Sequence, residues 1–433
     1  METKLVRIAQ IAKVKPKEVF TSLYHHLNEE MLTQAHQELK GDKAVGVDEI
    51  TKANYAENLK ENIHHLVEAL KRHSYKPQPV RRVYIPKGKS QRRPLGIPSY
   101  EDKIVQLGLT KILQAIYEAD FLSCSYGFRP KISGHNALKR LNDILIFGKT
   151  NYIVDTDIKS FFDSVDHKLL IEFIGLRIAD PNIKRLMVRF LKAGVMEQGK
   201  YEPTLSGTPQ GAIISPILAN IYLHYVLDLW FSRVVKKYCK GEAYLIRYAD
   251  DFVCCFQYQK DAVRFYQALR GRLAKFKLEL AIDKTKIIEF GRLATENRKA
   301  KGLEKPETFS FLGFTHYCSQ SRNGKFRVKR KTEAKKFKYK IIAFKEWIRK
   351  IRSFVPISDI FRQVRIKLLG HYAYYGITDN LRMIRSFYDI VIKLLFKWFN
   401  RRSQRRSFTY DKFKLYLKHN PLPLPRIYVS IFA

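Results

Sequence analysis

The sequence predicts an α+β protein, with helical segments towards both ends of the chain and strands gathered in its middle. Three observations carry that expectation. Tyr55, Leu59, Ile63, Leu66 and Leu70 recur at helix spacing on one face and stop before Pro77. Two apolar extended runs, Tyr152–Ile158 and Tyr244–Phe256, lie centrally, the second folded about a tight turn at Ala249-Asp250-Asp251. Beyond residue 320, Phe337, Ile341, Phe344, Ile348 and Ile351 make a helical stripe ringed by Lys335, Lys336, Lys338 and Lys340.

In chain order, residues 1–75 read as a helical N-terminal extension. From Tyr75 to Pro98 the pattern is extended and rich in Pro and Arg, with Val80, Val83 and Ile85 among basic residues. Residues 100–150 read as helical, with a break around Ser125–Pro130. The strand Tyr152–Ile158 follows, then a helix, and a Gly207-Thr208-Pro209-Gln210-Gly211 turn opens an apolar helix running through Leu223. After the Tyr244–Phe256 hairpin, helix and strand continue to about residue 290, with a short strand at Phe309–Phe314. Everything past 320 is expected to be helical and basic, and Pro421–Pro425 to close the fold. The expected domains are 1–75, 76–320, 321–405 and a C-terminal tail at 406–433.

A chain of 433 residues exceeds a single compact core, and its 28 Phe and 25 Tyr supply ample material for burial. The net charge of +39 needs a polyanion, and nucleic acid is the commonest one. A membrane is the competing partner, but no apolar run approaches the roughly 18 residues that a span requires. The charge is uneven: residues 321–433 hold 29 Lys and Arg against 6 Asp and Glu, more than half of the whole excess. Cys124, Cys239, Cys254, Cys255 and Cys318 form no CxxC pair, and no signal-type segment opens the chain. Together these point to a reducing, cytoplasmic setting.

Four groups of residues carry chemistry. Asp250 and Asp251 are adjacent like charges between apolar strands, a conflict that a divalent cation removes, although Asp is also an ordinary turn residue. Asp157 ends a buried strand and adds a third carboxylate, as two-metal phosphoryl transfer requires of neighbouring strands. Asp155 shares its face by alternation, and Asp163 reads equally well as a local structural acid. Arg81, Arg82, Lys87, Arg92 and Arg93 surround Ile85-Pro86-Lys87-Gly88 and suit phosphate oxygens. This is no P-loop, because Val83 stands where the first glycine is required. Finally, Gly207 and Gly211 flank Pro-Gln in a loop suited to close approach of backbone to a ligand.

In this order the pieces resemble the reverse transcriptases, and more narrowly the group II intron-encoded enzymes. The resemblance runs from about Gly41 into the basic C-terminal domain. It rests on Ile85-Pro86-Lys87, Pro94–Pro98, Ser125–Pro130, Asp157–Asp163, Thr208–Gly211, Tyr248–Asp251, Asp283-Lys284-Thr285 and Phe311–Phe314. It implies a right-hand polymerase fold: fingers, a palm with an antiparallel sheet and a helical thumb, behind the N-terminal extension. Residues 76–320 would form fingers and palm, and 321–405 the thumb that doubles as a maturase domain. It implies RNA-directed DNA polymerisation with two Mg²⁺ ions, Mn²⁺ being able to substitute. Asp157, Asp250 and Asp251 would be the catalytic and metal carboxylates, with the Ile158 carbonyl completing a metal shell. Phe162 would be the steric gate against a 2′-hydroxyl. Arg81, Lys87 and Arg93 would grip the dNTP triphosphate, Gln210 would lie beside the nascent pair, and Lys284 near the departing pyrophosphate. Arg129 would either orient template or brace the fingers. Gly370–Tyr375 resembles the aromatic signature of the maturase domain, with an aromatic helix core as the alternative. Ala212 departs from the Gly or Ser common at that position.

The partners so implied are group II intron RNA or another structured RNA template, a DNA primer or target, and dNTPs, in a bacterial cytoplasm and with no membrane. RNA would be held by Lys335, Lys336, Lys338, Lys340, Arg401, Arg402, Arg405 and Arg406. No Cys/His zinc pattern is present, which resembles the endonuclease-lacking members and implies a primer from elsewhere, such as a nascent strand at a replication fork. Two other functions fit the same motifs: a domesticated reverse transcriptase in antiviral defence or DNA repair, and an RNA-binding splicing factor with dispensable polymerase activity. Intact Asp157, Asp250, Asp251, Lys87 and Arg93 speak against the latter. Phe162 disfavours an RNA-directed RNA polymerase.

Overall fold

The computed structural model describes residues 2–87, 91–402 and 407–432. The side chain of Lys87, and Arg405 and Arg406 altogether, lie outside the described residues. Helices and strands are mixed along the chain, as an α+β class requires. The strands are β1 Val80–Lys87, β2 Gln91–Ile97, β3 Tyr152–Thr156, β4 Val195–Glu197, β5 Lys200–Glu202, β6 Ala243–Tyr248, β7 Asp251–Phe256, β8 Lys286–Glu289, β9 Phe309–Phe311, β10 Phe314–Gln320 and β11 Phe326–Thr332. They form three sheets, of order β2-β1-β4-β5, β6-β7-β3-β8 and β11-β10-β9. The chain divides into two compact units, residues 1–134, 156–254 and 258–286 in one, and 135–155, 255–257 and 287–433 in the other.

In the first unit, the amphipathic stretch read from Tyr55 to Leu70 is two helices, Lys52–Glu57 and Leu59–Lys71, parted at Asn58. Thr51 opens the first with a reciprocal cap to Asn54. Tyr55, Ile63, Leu66 and Leu70 are all buried, so the apolar stripe does cover a core. The helix Tyr100–Tyr117 opens on the Ser99 hydroxyl and buries Ile104, Leu109, Ile112, Leu113 and Ile116 completely. β1 and β2 pair antiparallel from Arg81–Ile97 to Lys87–Gln91, so Arg81 and Arg93 fall on one face of the ribbon. β1 also pairs in parallel with β4.

The second unit departs from the expectation of an all-helical chain past residue 320. β11 is a strand, paired antiparallel with β10 from Phe314–Thr332 to Gln320–Phe326. The expected boundary at 320/321 thus falls at the turn of a hairpin. The alternation was disguised because one inward residue is charged: Val328, Arg330 and Thr332 are all buried. Arg330 donates to Asn142 Oδ1 at 2.6 Å, and burial lowers its pKa to about 10. Helices Ala334–Ile351, Ile357–Tyr375 and Leu381–Phe399 follow. In the second of these, His371, Tyr372 and Tyr375 are buried, and the His371 ring stacks 3.9 Å from Phe387. Three of the six residues of Gly370–Tyr375 thus pack inside, while Tyr374 stays exposed. Nor are the described residues beyond 406 a plain tail: Tyr410–His419 is a helix with Phe413 fully buried, and Val429 bridges to Ile377. Among the described residues no helix is long and apolar enough to cross a membrane.

Candidate active site

The β6–β7 hairpin turns through Ala249 and Asp250, the tightest connection that two antiparallel strands allow. Such a turn needs a positive φ, and Ala249 supplies it at +58° without being Gly, Asn or Asp. Asp157 follows directly on β3. Thr156 Oγ1 donates to the Phe252 carbonyl at 3.0 Å, which ties this end of β3 to β7. On its other side, backbone bonds from Ala281 to Asp157 (2.8 Å) and from Lys159 to Glu279 (2.9 Å) frame an antiparallel bridge between Ile158 and Leu280. The short 3₁₀ turn Ile282–Lys284 then carries Lys284 back, and its Nζ donates to Asp157 Oδ2 at 2.6 Å.

A cavity of about 810 Å³ gathers Arg93, Asp157, Ile158, Phe162, Gln210, Asp250 and Lys284, with Arg92 beside them. These residues come from segments far apart in the sequence. Of the residues expected at this site whose side chains are described, Asp251 and Arg81 are not among its walls. Arg93 Nε donates to Gln210 Oε1, so the expected phosphate and base-pair contacts are joined before any ligand enters. Phe162 is buried, with its ring edge-on to Phe161 at 5.4 Å. Arg82 turns to the opposite face of the ribbon and pairs with Glu197 at 3.3 Å.

The glycines of the 207–211 loop are required by the packing of the protein itself. A Cβ on Gly207 (φ +86°) would lie 2.8 Å from the Phe162 carbonyl oxygen, and one on Gly211 (φ +108°) equally close to that of Gly96. Both glycines thus make close approaches to protein backbone. Thr208 N–H donates to the Phe162 carbonyl at 2.7 Å, and Gly96 N–H to that of Gln210 at 2.6 Å. The loop thereby staples the Phe162 segment to β2. Ala212 is buried where it stands.

Arg129 braces its own loop: it pairs with Glu118 at 3.0 Å and donates to the Leu122 and Ser125 carbonyls. Sequence reasoning missed Arg247, whose only signal was a charge inside an apolar strand. It counted Arg92 in the basic stretch suited to phosphate, while the resemblance assigned dNTP contacts there only to Arg81, Lys87 and Arg93. In the second unit, Lys335, Lys336 and Lys338 are exposed, whereas Lys340 is tucked over the Tyr375 ring at 5.2 Å. Burial, with Lys336 nearby, lowers the Lys340 pKa. Arg401 is exposed, and Arg402 is partly buried and donates to the Val355 carbonyl at 3.2 Å.

The carboxylates on the cavity wall are hard oxygen donors of the kind that Mg²⁺ or Mn²⁺ accepts. Asp157 already holds a cation, the Lys284 ammonium, which displays its electrostatic character directly. Among the described residues no group of three or more His, Cys, Asp or Glu stands ready to hold a metal. Of the three carboxylates expected to hold metal, Asp157 and Asp250 line the cavity, with one of the Asp157 oxygens engaged, and Asp163, Glu279 and Asp283 line it with them.

Residues 85–316 match the family described as "Reverse transcriptase (RNA-dependent DNA polymerase)". This chain belongs to the reverse transcriptase family. The matched residues include Arg93, Asp157, Phe162, Gln210, Asp250 and Lys284. Among characterised sequences, the reverse transcriptase is similar to the group II intron-encoded protein LtrA of Lactococcus lactis subsp. cremoris, 44% identical over 239 residues. That match takes in 54% of this chain and 39% of LtrA, so the chain spans about two fifths of that relative's length. It is also similar to protein YkfC of Escherichia coli, 34% identical over 321 residues, 67% of this chain and 80% of that protein. A 91 kDa protein in the cob intron of Schizosaccharomyces pombe is 36% identical over 212 residues, 49% of this chain and 26% of its own. LtrA and the cob-intron protein are both associated with introns by name.

Proposed function

We propose that this reverse transcriptase copies RNA into DNA by nucleotidyl transfer at the cavity, and that it also grips the RNA of a group II intron. The observation that carries the first part is the meeting of Asp157, Asp250, Arg93 and Phe162 around one opening. In this reading residues 76–320 supply fingers and palm, and the basic residues 321–405 the thumb and maturase surface.

Asp157, Asp250 and Asp251, with the Ile158 carbonyl, would hold two divalent cations. These, when bound, would lower the pKa of the primer 3′-hydroxyl and neutralise the triphosphate. Arg93, helped by Arg92, Arg81 and Lys87, orients the triphosphate through the planar fork of guanidinium and the point charge of ammonium. Phe162 floors the sugar. Gln210, already bonded to Arg93, sets the height of the nascent base pair. Lys284 neutralises Asp157 in the resting protein and then stands next to the departing pyrophosphate.

The Lys284–Asp157 pair is weak by construction. The two side chains are 66% and 41% exposed. Exposed pairs contribute about 1 kcal/mol or less, and so yield readily to a divalent ion. Lys284→Ala is therefore expected to tighten Mn²⁺ binding in the absence of nucleotide by up to about fivefold, while slowing extension. Paramagnetic titration of the metal beside single-turnover kinetics reads both, and unchanged Mn²⁺ affinity would remove Lys284 from Asp157.

The function as a whole is tested by extension of a DNA primer on an RNA template. Synthesis is expected with dNTPs and a divalent cation, and not with NTPs. RNA binding without extension would instead support the splicing-factor reading. The maturase part is tested by Lys335→Gln, Lys336→Gln and Lys338→Gln together, leaving the half-buried Lys340 in place. Binding should weaken, and the slope of log K against log salt should shrink by roughly 0.7–0.9 for each phosphate no longer neutralised. A larger loss for structured intron RNA than for primer–template duplex supports a maturase surface. Equal losses reduce it to a thumb.

A further inference from the structure

The hairpin bearing Asp250 stands on a buried guanidinium. Arg247 is fully buried in β6, and all its N–H groups are spoken for. Nε and Nη2 donate to the two carboxylate oxygens of Asp228 at 2.7 and 2.5 Å. Nη2 also donates to Ser125 Oγ at 2.7 Å, and Nη1 to Asn220 Oδ1 and to the Ala249 carbonyl, each at 3.0 Å. Asp228 and Asn220 are themselves fully buried. Asp228 closes a π-helical turn, His224–Asp228, in which the Leu229 N–H donates to His224. Such turns insert a residue and re-aim the side chains beside them. Asn220 also reaches the other way, its Nδ2 donating to the Gly127 carbonyl at 2.7 Å. Gly127 in turn seats the hairpin, since a Cβ there would lie 2.3 Å from the Ala249 nitrogen.

A buried ion pair is a poor sign of stabilisation, because desolvating the two charges offsets their attraction. Asp228 neutralises Arg247, so the pair adds little net charge under the hairpin. What it adds is direction. Ala249 holds a backbone conformation that L residues disfavour, and such a residue persists only where its surroundings over-determine it. Here Arg247 fixes its carbonyl and Gly127 admits its nitrogen, immediately before Asp250. We propose that Arg247 is a positioning residue for the reaction: through the Ala249 carbonyl, held by Asp228, Asn220 and Ser125, it sets the direction in which Asp250 enters the cavity. This rests on the reading of Asp250 as a catalytic carboxylate.

Arg247→Lys keeps the charge and loses the fork. It is expected to lower kcat for single-nucleotide extension by about 100-fold, the scale of a misplacement of about 1 Å. KM for dNTP should hold within about twofold, since the triphosphate grip lies elsewhere. Mn²⁺ binding without nucleotide should weaken by roughly tenfold, as when a supporting shell is lost. Affinity for RNA should be unchanged. A lower melting temperature with wild-type kcat per folded molecule and wild-type Mn²⁺ affinity would overturn the proposal. Asn220→Ala, which leaves the Arg247–Asp228 pair in place, should move kcat and Mn²⁺ affinity in the same directions by smaller factors. It decides the matter if Arg247→Lys does not fold, and wild-type values for it would equally overturn the proposal. Asp250→Asn is the control: full synthesis by that variant would sink the catalytic reading itself. Its inactivity beside an unaffected Arg247→Lys would sink only the positioning role.

Discussion

Asp250→Asn is expected to reduce cDNA synthesis on a primed RNA template by roughly 10³-fold or more, the worth of several kcal/mol of charge stabilisation at the transition state. The fold should survive. Asp250 is half-buried at a turn, and its removal relieves repulsion with Asp251 without opening a cavity. The diagnostic result is the combination: lost extension, an unchanged melting temperature and unchanged RNA affinity. The same exchange at Asp251, which is not part of the cavity wall, separates two kinds of hairpin carboxylate. An equal loss means that both hold cations when substrate is bound. A much smaller loss leaves Asp157 and Asp250 as the working pair. Extension at near-wild-type rate by the Asp250 variant would remove the hairpin from the chemistry.

Phe162→Val should relax sugar selection, raising ribonucleotide use relative to dNTP use by about 10- to 200-fold, the range that one small group more or less in a pocket spans. Val is a better probe than Ala. Phe162 is 8% exposed and packs on Phe161. Truncating a buried Phe to Ala typically costs about 3–5 kcal/mol, enough to confuse selectivity with unfolding. The effect should appear in the ratio of kcat/KM for paired nucleotides rather than in kcat for dNTP alone. If the variant discriminates as strongly as the parent chain, the gate lies elsewhere, and the neighbouring residues of the 157–163 segment are the next to vary.

Much of this site was legible in the sequence because its signals are local. The hairpin follows from two apolar runs about an Asp-Asp turn, and the end of β3 from an apolar run closing on Asp157. The basic ribbon is legible in its Arg and Lys around Ile85-Pro86. The helix stripes at Tyr55–Leu70 and Phe337–Ile351 needed only their own periodicity. Where the reading strayed, a charged residue faced inward. Arg330 hides the alternation of β11, and Arg247 sits in an apolar strand with nothing nearby in sequence to explain it. Its partner Asp228 is 19 positions away and Ser125 is 122 away.

By itself, then, the sequence determined the class of chemistry, the α+β class and the sign of the partner, because residue type, period and net charge are properties of the chain before it folds. Only the tertiary structure decided which of those residues meet. It set Asp250 on the cavity and Asp251 off its wall, Arg93 against Gln210 and Arg82 towards Glu197. It turned Lys340 onto Tyr375 and left Lys335, Lys336 and Lys338 in solvent. It set the glycines at 207 and 211 against the carbonyls of Phe162 and Gly96. The physical reason is common to all of these. Period and propensity act over a few residues, whereas a pair such as Lys284 and Asp157, 127 positions apart, exists only where the packing of intervening elements brings both to one point.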